Sequence, residues 1–330
     1  MKTKLKLITM SEIQAEEVKW LWYPYIPFGK ITIIQGDPGE GKTTFVLALT
    51  ALLTRGLSMP GGSMVLPPTN IIYQTAEDGL ADTIKPRLDS LGADCSRVLV
   101  IDENERELTL DDHRLAQAIQ ETNAGLVVLD PIQAYLGDGV DMHRANEVRP
   151  VFKRLCKMAE RTGCAVILIG HMNKMQGVKS AYLGLGSIDF RAAARSVLLV
   201  GRSKDDSNMR VVVHDKSSLA PEGRSILFSL NSENGFTWNG FCDTTASELL
   251  STNGPSITKT EQAEKLILEM LGSGEVASEV GERSKKYSRS AAQSVRIIYR
   301  DIGSMDRPME PKVLQSHNAP EVGNLIQVPA

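Results

Sequence analysis

The stretch from Ile31 to Gly56 reads ITIIQGDPGEGKTTFVLALTALLTRG, and the fold turns on it. Ile31 to Ile34 are all β-branched and read as a buried strand, Gly36, Gly39 and Gly41 break it, and an apolar helical pattern starts at Lys42. A strand that runs through a Gly-rich turn into a helix N-terminus gathers several main-chain N–H groups around one point. That point attracts phosphate. Gly36, Asp37, Pro38, Gly39, Glu40, Gly41, Lys42 and Thr43 fit the spacing G-x-x-x-x-G-K-[ST], with Thr44 directly behind. The amides are expected to cradle a β-phosphate, Lys42 to reach a γ-phosphate, and the Thr43 hydroxyl to bind Mg2+.

Outward from this loop, strand-like runs alternate with helical patterns. ITIIQ, NIIYQT, RVLVID, GLVVLD and CAVILIG are separated by helices expected near 42–55, 79–91, 111–123 and 146–161. Continuous apolar runs joined by helical crossovers describe an α/β protein with a mostly parallel, doubly covered sheet. SVLLVGR, MRVVVHD, SILFSL and GFTW then follow one another across turn-like spacers, which extends the sheet by antiparallel strands. Upstream, VKWLWYPYIPFGK is rich in aromatic residues, and Pro24 and Pro27 exclude a helix. It reads as an extended lid beside the phosphate loop or as a core-edge segment.

With 330 residues and 42% apolar content the chain can bury a large core, and its net charge of -3 argues against a uniformly basic nucleic-acid binder. No apolar run approaches the ~18 residues of a membrane span, and the lysine-containing N-terminus lacks the apolar stretch of a signal peptide. Cys95, Cys156, Cys164 and Cys242 have no metal-ligand spacing, and Cys156 and Cys164, in an apolar helix-to-strand context, read as buried reduced thiols. A cytoplasmic protein is expected.

Hydrolysis of a triphosphate needs more than a phosphate loop. Asp130 closes the buried run LVVL and is the expected second magnesium residue, although Asp102 ends the similar run RVLVI. Glu77 closes NIIYQTA at the carboxyl edge where ligands of such sheets gather, which makes it the candidate base; Asp78 beside it reads as a helix N-cap. His171 ends AVILIG at the same edge and is expected to sense the γ-phosphate.

The ordered set GDPGEGKT, YQTAED, LVVLD, LIGHMNK, GSIDFRAAARSVLLVGR and HDKSS resembles the RecA-like AAA-domain ATPases of phages and plasmids. Within them it is similar to the hexameric replicative helicases of the plasmid RepA class and, more distantly, to the DnaB helicases. The resemblance implies a RecA-like P-loop NTPase core, ATP as the nucleotide, Mg2+, and catalytic roles for Glu77, Asp130 and His171. It also implies an arginine supplied by a neighbouring subunit. Arg202 matches that place, with Lys204, Arg191 and Arg195 as alternatives. A head-to-tail interface of this kind closes into a ring when the rotation permits, and the resemblance implies a homo-oligomer, in the family a hexamer, with single-stranded DNA in the channel. Lys174 and Lys179, near Tyr182, are the candidate strand-contacting residues there.

The expected division is a lead-in at 1–19, the ATPase domain at 20–241, a linker at 242–260, a small helical segment at 261–305 and a flexible tail at 306–330. The helical segment carries Arg289 and Arg296 in a basic run and resembles a DNA-binding helix-turn-helix, with a docking element as the alternative. The function expected is an ATP-driven DNA motor, a replicative helicase of a mobile element. The alternatives are a DNA repair or recombination ATPase or helicase loader that does not unwind, and an ATP-controlled DNA-binding regulator.

Overall fold

The computed structural model describes residues 7–250 apart from 63, 138, 143, 173–187, 204, 205, 207 and 232–234. In chain order the strands are β1 (Trp20–Trp22), β2 (Ile26–Pro27), β3 (Ile31–Gly36), β4 (Ile71–Thr75), β5 (Val98–Leu99), β6 (Leu126–Asp130), β7 (Ala165–His171), β8 (Ser196–Arg202), β9 (Met209–Ser217), β10 (Ser225–Asn231) and β11 (Gly235–Cys242). The helices are α1 (Lys42–Thr54), α2 (Lys85–Ser90), α3 (His113–Thr122), α4 (Ala145–Thr162), α5 (Ile188–Ala193) and α6 (Ala246–Leu250).

Nine strands form one sheet in the order β11-β10-β9-β8-β3-β7-β6-β4-β5. From β8 to β5 all neighbours are parallel, and β9, β10 and β11 add on antiparallel, as the change of pattern after Ser196 requires. Side chains alternate between faces. Ile34, Tyr73, Val128 and Ile167 pack with Phe45 and Leu49 of α1 on one face, while Ile33, Ile72, Val127 and Val166 pack with Leu115 of α3 and Phe152 of α4 on the other. Central strands are therefore apolar on both sides, which is why LVVLD shows no alternation. Helix α1 is buried nearly all round, consistent with its unbroken apolar sequence.

Register decides what meets at the carboxyl edge. Gly36 pairs with His171 across β3 and β7, and Thr75 pairs with Asp130 across β4 and β6. The ends of β3 and β7 reach two residues further than those of β4 and β6, since Leu129 pairs with Leu168.

Four expectations change. RVLVID pairs with β4 only through Val98 and Leu99. Beyond them the Gln74 side chain replaces the ladder, accepting from Ile101 N at 2.6 Å and donating to Ile101 O at 3.2 Å. The helix expected over 79–91 opens as a wide turn in which Ile84 N donates to Gly79 O at 3.0 Å, and becomes α-helical only at Lys85. The aromatic stretch 20–27 is no lid: β1 and β2 form a hairpin with Leu21, Trp22, Tyr25 and Ile26 in the core, Trp22 bonded to Pro60 O and Tyr25 to Arg224 O. Finally, 242–250 is folded onto the sheet and is no linker. Thr245 and Glu248 form a reciprocal capping box that starts α6, and Leu249 packs on Leu199, Val211 and Val213.

Candidate functional site

The phosphate loop leaves β3 at Gly36, where no side chain fits because a Cβ would meet Val200 O of β8 at 2.1 Å. Gly39 and Gly41 take left-handed φ values of 79° and 87°, turning successive amides to the same side. A Cβ at Gly39 would meet nothing within 4 Å, so that side of the loop is open. Helix α1 begins after Gly41 without a side-chain cap, leaving its first-turn N–H groups for a ligand. These features fit a bound phosphate chain.

Lys42 is 5% exposed, and its ammonium donates to Gly36 O at 3.0 Å and Asp37 O at 2.9 Å. Burial pulls its pKa below the ordinary lysine value, opposed chiefly by the charge of Asp130. Thr43 Oγ1 donates to Asp130 Oδ2 at 2.7 Å, so the two candidate magnesium residues adjoin. Tyr73, fully enclosed on β4, donates to the same oxygen at 3.0 Å. Desolvation raises the Asp130 pKa, and these two hydrogen bonds oppose the rise. Among the described residues no three His, Cys, Asp or Glu side chains converge as a metal cage. One carboxylate and one hydroxyl suit an ion that keeps waters and takes phosphate oxygens, as Mg2+ does.

His171 stands between the loop and Glu77. Its Nδ1 lies 3.4 Å from Lys42 Nζ, and its Nε2 lies 3.7 Å from Glu77 Oε2. The ammonium can only donate, which assigns Nδ1 as acceptor and Nε2–H as the group facing Glu77. Asp78 is not a helix cap. Its carboxylate pairs with Arg87 at 3.1 Å and its N–H donates to Thr75 Oγ1 at 3.2 Å, which pins the turn from which Glu77 projects. Asp102, the rival to Asp130, is exposed beyond β5 and accepts from Asn104 N at 2.9 Å.

Arg202, at the end of β8, lies 3.6 Å from Glu40 of its own loop, and Arg210 on β9 approaches the other oxygen of Glu40 at 3.6 Å. Arg191 is held by Asp215 and sits on α5, which ends before Arg195, so the two do not share a helical face. Arg195 lies instead at the start of β8, its N–H bonded to Ile31 O at 3.0 Å. Lys174, Lys179, Tyr182, Lys204, Arg289 and Arg296 fall outside the described residues. Sequence reasoning missed Tyr73, Arg87 and Arg210. For Tyr73 a signal existed, a polar tip inside an apolar central strand; nothing marked the other two.

Residues 4–177, more than half of the chain, match the model of the AAA domain family. The chain belongs to that family. With the P-loop and the sheet order above, this AAA-domain protein is a P-loop ATPase of RecA-like fold. Among curated relatives, the DNA repair protein RadA of Bacillus subtilis (strain 168) is 30% identical over 148 residues, 44% of this chain and 28% of the relative. The DNA repair protein RadA of Brucella abortus (strain 2308) is 31% identical over 154 residues, 44% of this chain and 29% of the relative. The chain thus spans less than a third of the length of these relatives. A solved KaiC-like protein from the archaeon Pyrococcus horikoshii OT3 superposes with a TM-score of 0.46 at 18% identity, covering 68% of this chain and 98% of that one. Among the described residues no helix is long and apolar enough to cross a membrane.

Proposed function

We propose that this AAA-domain protein is an ATP-hydrolysing motor that acts on DNA in the cytoplasm, a ring-forming replicative helicase of the plasmid RepA class belonging to a mobile element. The reading rests above all on the line from Lys42 through His171 to Glu77. It joins the phosphate-binding cation, the candidate sensor and the candidate base, and its middle member, His171, precedes 173–187 in the chain.

In this reading the amides of 36–43 and the Lys42 ammonium hold the phosphates of ATP. Thr43 and Asp130 would hold Mg2+, which supplies neutralisation of phosphate charge. Glu77 orients a water against the γ-phosphorus and takes its proton; the bond to the β-phosphate oxygen breaks, and ADP leaves with that electron pair. Once the γ-phosphate is gone, Lys42 draws back to the loop carbonyls and His171 follows its changed partners. Lys174 and Lys179 downstream would grip single-stranded DNA in the channel of a hexamer. Arg202 would serve a neighbour's site after releasing Glu40, with Arg191, Arg195 and Lys204 as substitutes; Arg289 and Arg296 would touch duplex DNA.

A second reading, a DNA repair or recombination ATPase that does not unwind, draws support from the name carried by both RadA relatives. A forked duplex with a labelled strand separates the two. The helicase reading expects ATP-dependent strand release, absent in Lys42→Ala, and light scattering that shows a ring with ATP and Mg2+. Hydrolysis stimulated by single strands without strand release favours the repair reading. Full hydrolysis by Lys42→Ala removes both.

A further inference from the structure

The chain is acidic overall, yet the outer face of α4 is not. Helix α4 buries Val148, Val151, Phe152, Leu155, Met158 and Ala159 against the sheet and α5. Of its eight exposed residues, five are lysine or arginine and one, Glu160, is acidic. Glu160 is itself paired with Lys30 at 2.8 Å, which brings another cation to the end of the helix. Arg154 is held by Asp111 at 2.7 Å. Lys153, Lys157 and Arg161 have no carboxylate partner among the described residues. Recurring every four residues, they line one side of the helix over about 12 Å at 1.5 Å per residue. Arg195, exposed, lies at the same end, its N–H bonded to Ile31 O at 3.0 Å beside Lys30.

We infer that this face is a second nucleic-acid surface, a track for a phosphodiester backbone along the outside of the domain. It is separate from the P-loop, which lies at the opposite edge from Lys30 and Arg195. The inference rests on the DNA-directed reading above and adds where a strand lies. Row-like cations on a rigid helix suit a repeating anion. A protein partner would be expected to meet aromatic or aliphatic side chains at the centre of its contact. The uncharged exposed residues here are Asn146 and Pro150 alone.

The test uses the full chain, a fluorescein-labelled oligo-dT and a salt titration. In the combined Lys153→Gln, Lys157→Gln and Arg161→Gln variant, affinity is expected to fall about tenfold and the slope of log K against log salt to shrink by about 2, the release expected for three phosphate contacts on a single strand. Thermal melting and DNA-free ATP turnover stay at parental levels, which separates the effect from misfolding. Glu160→Gln, which unpairs Lys30, strengthens binding. A duplex probe of equal length identifies which form of nucleic acid the track prefers. Unchanged affinity and slope in the triple variant would overturn the inference while leaving the DNA-directed function standing. So would displacement of the oligonucleotide by polyglutamate as readily as by unlabelled strand, which points to an acidic protein. A parent chain that binds no strand removes both.

Discussion

Strands β5 and β6 begin from nearly the same sequence, RVLVID and GLVVLD, and end in opposite circumstances. Asp130 is 7% exposed, bonded by Thr43 and Tyr73, and lies against the phosphate loop. Asp102 is exposed and turned toward its own loop. The difference lies in sheet position. β6 sits between β7 and β4, while β5 is the edge strand with a single neighbour. β4 lies between the two and treats them differently through adjacent residues: Tyr73 on one face serves Asp130, and Gln74 on the other ends the β5 ladder at Ile101. An aspartate after an apolar run is therefore half a signal, and the number of neighbouring strands supplies the rest.

The sharpest test of the contrast is a pair of variants. Asp130→Asn is expected to lower steady-state phosphate release by about 100- to 1,000-fold, the range seen when a preorganised charge-stabilising group is lost. Asp102→Asn should stay within about twofold of the parent, as surface changes do. Equal losses would break the comparison.

The rule that sheet position decides what a side chain feels also covers His214 on β9, enclosed between β8 and β10. Its Nδ1 accepts from Gly223 N at 2.9 Å and its Nε2 lies 3.0 Å from Ser196 Oγ, while burial pushes its pKa down to about 4. The folded state holds the imidazole neutral where the unfolded chain would protonate it. Stability is thus intact above pH 6.5 and is lost as pH falls toward about 4, by a total of about 3 kcal/mol. Denaturant melts across that window should show the loss, and His214→Gln should flatten it; a parent with constant stability there would contradict the buried neutral histidine.

Two smaller effects separate the faces of β4. Gln74→Ala should cost about 1–3 kcal/mol by stranding the Ile101 backbone, with faster amide exchange at Ile101 and little change in turnover. Tyr73→Phe removes one hydrogen bond from Asp130. It should cost about 1 kcal/mol in thermal melts and lower turnover several-fold, so that a purely structural role would show only the first change.

Much of the site was legible because its parts lie at strand ends, and strand ends are written locally. Gly36 to Thr43, Asp130 and His171 each close or follow a continuous apolar run, and the structure brings them together with Glu77. Local reading went astray where a distant side chain took over a backbone or a charge. Gln74 shortened β5, and Arg87 took Asp78 away from its expected capping role. The α6 capping box was local and was overlooked, since the Ser/Thr content around it reads as linker.

The sequence alone determined the phosphate loop, the alternation that builds a doubly covered parallel sheet and the antiparallel strands that extend it, because these depend on neighbours a few residues apart. Only the tertiary structure decided which of two aspartates faces the loop, which arginines approach Glu40 and which face of α4 is left to solvent. Those outcomes depend on strand order and register, and such long-range pairing is set by the burial of whole faces, which no short stretch of sequence contains.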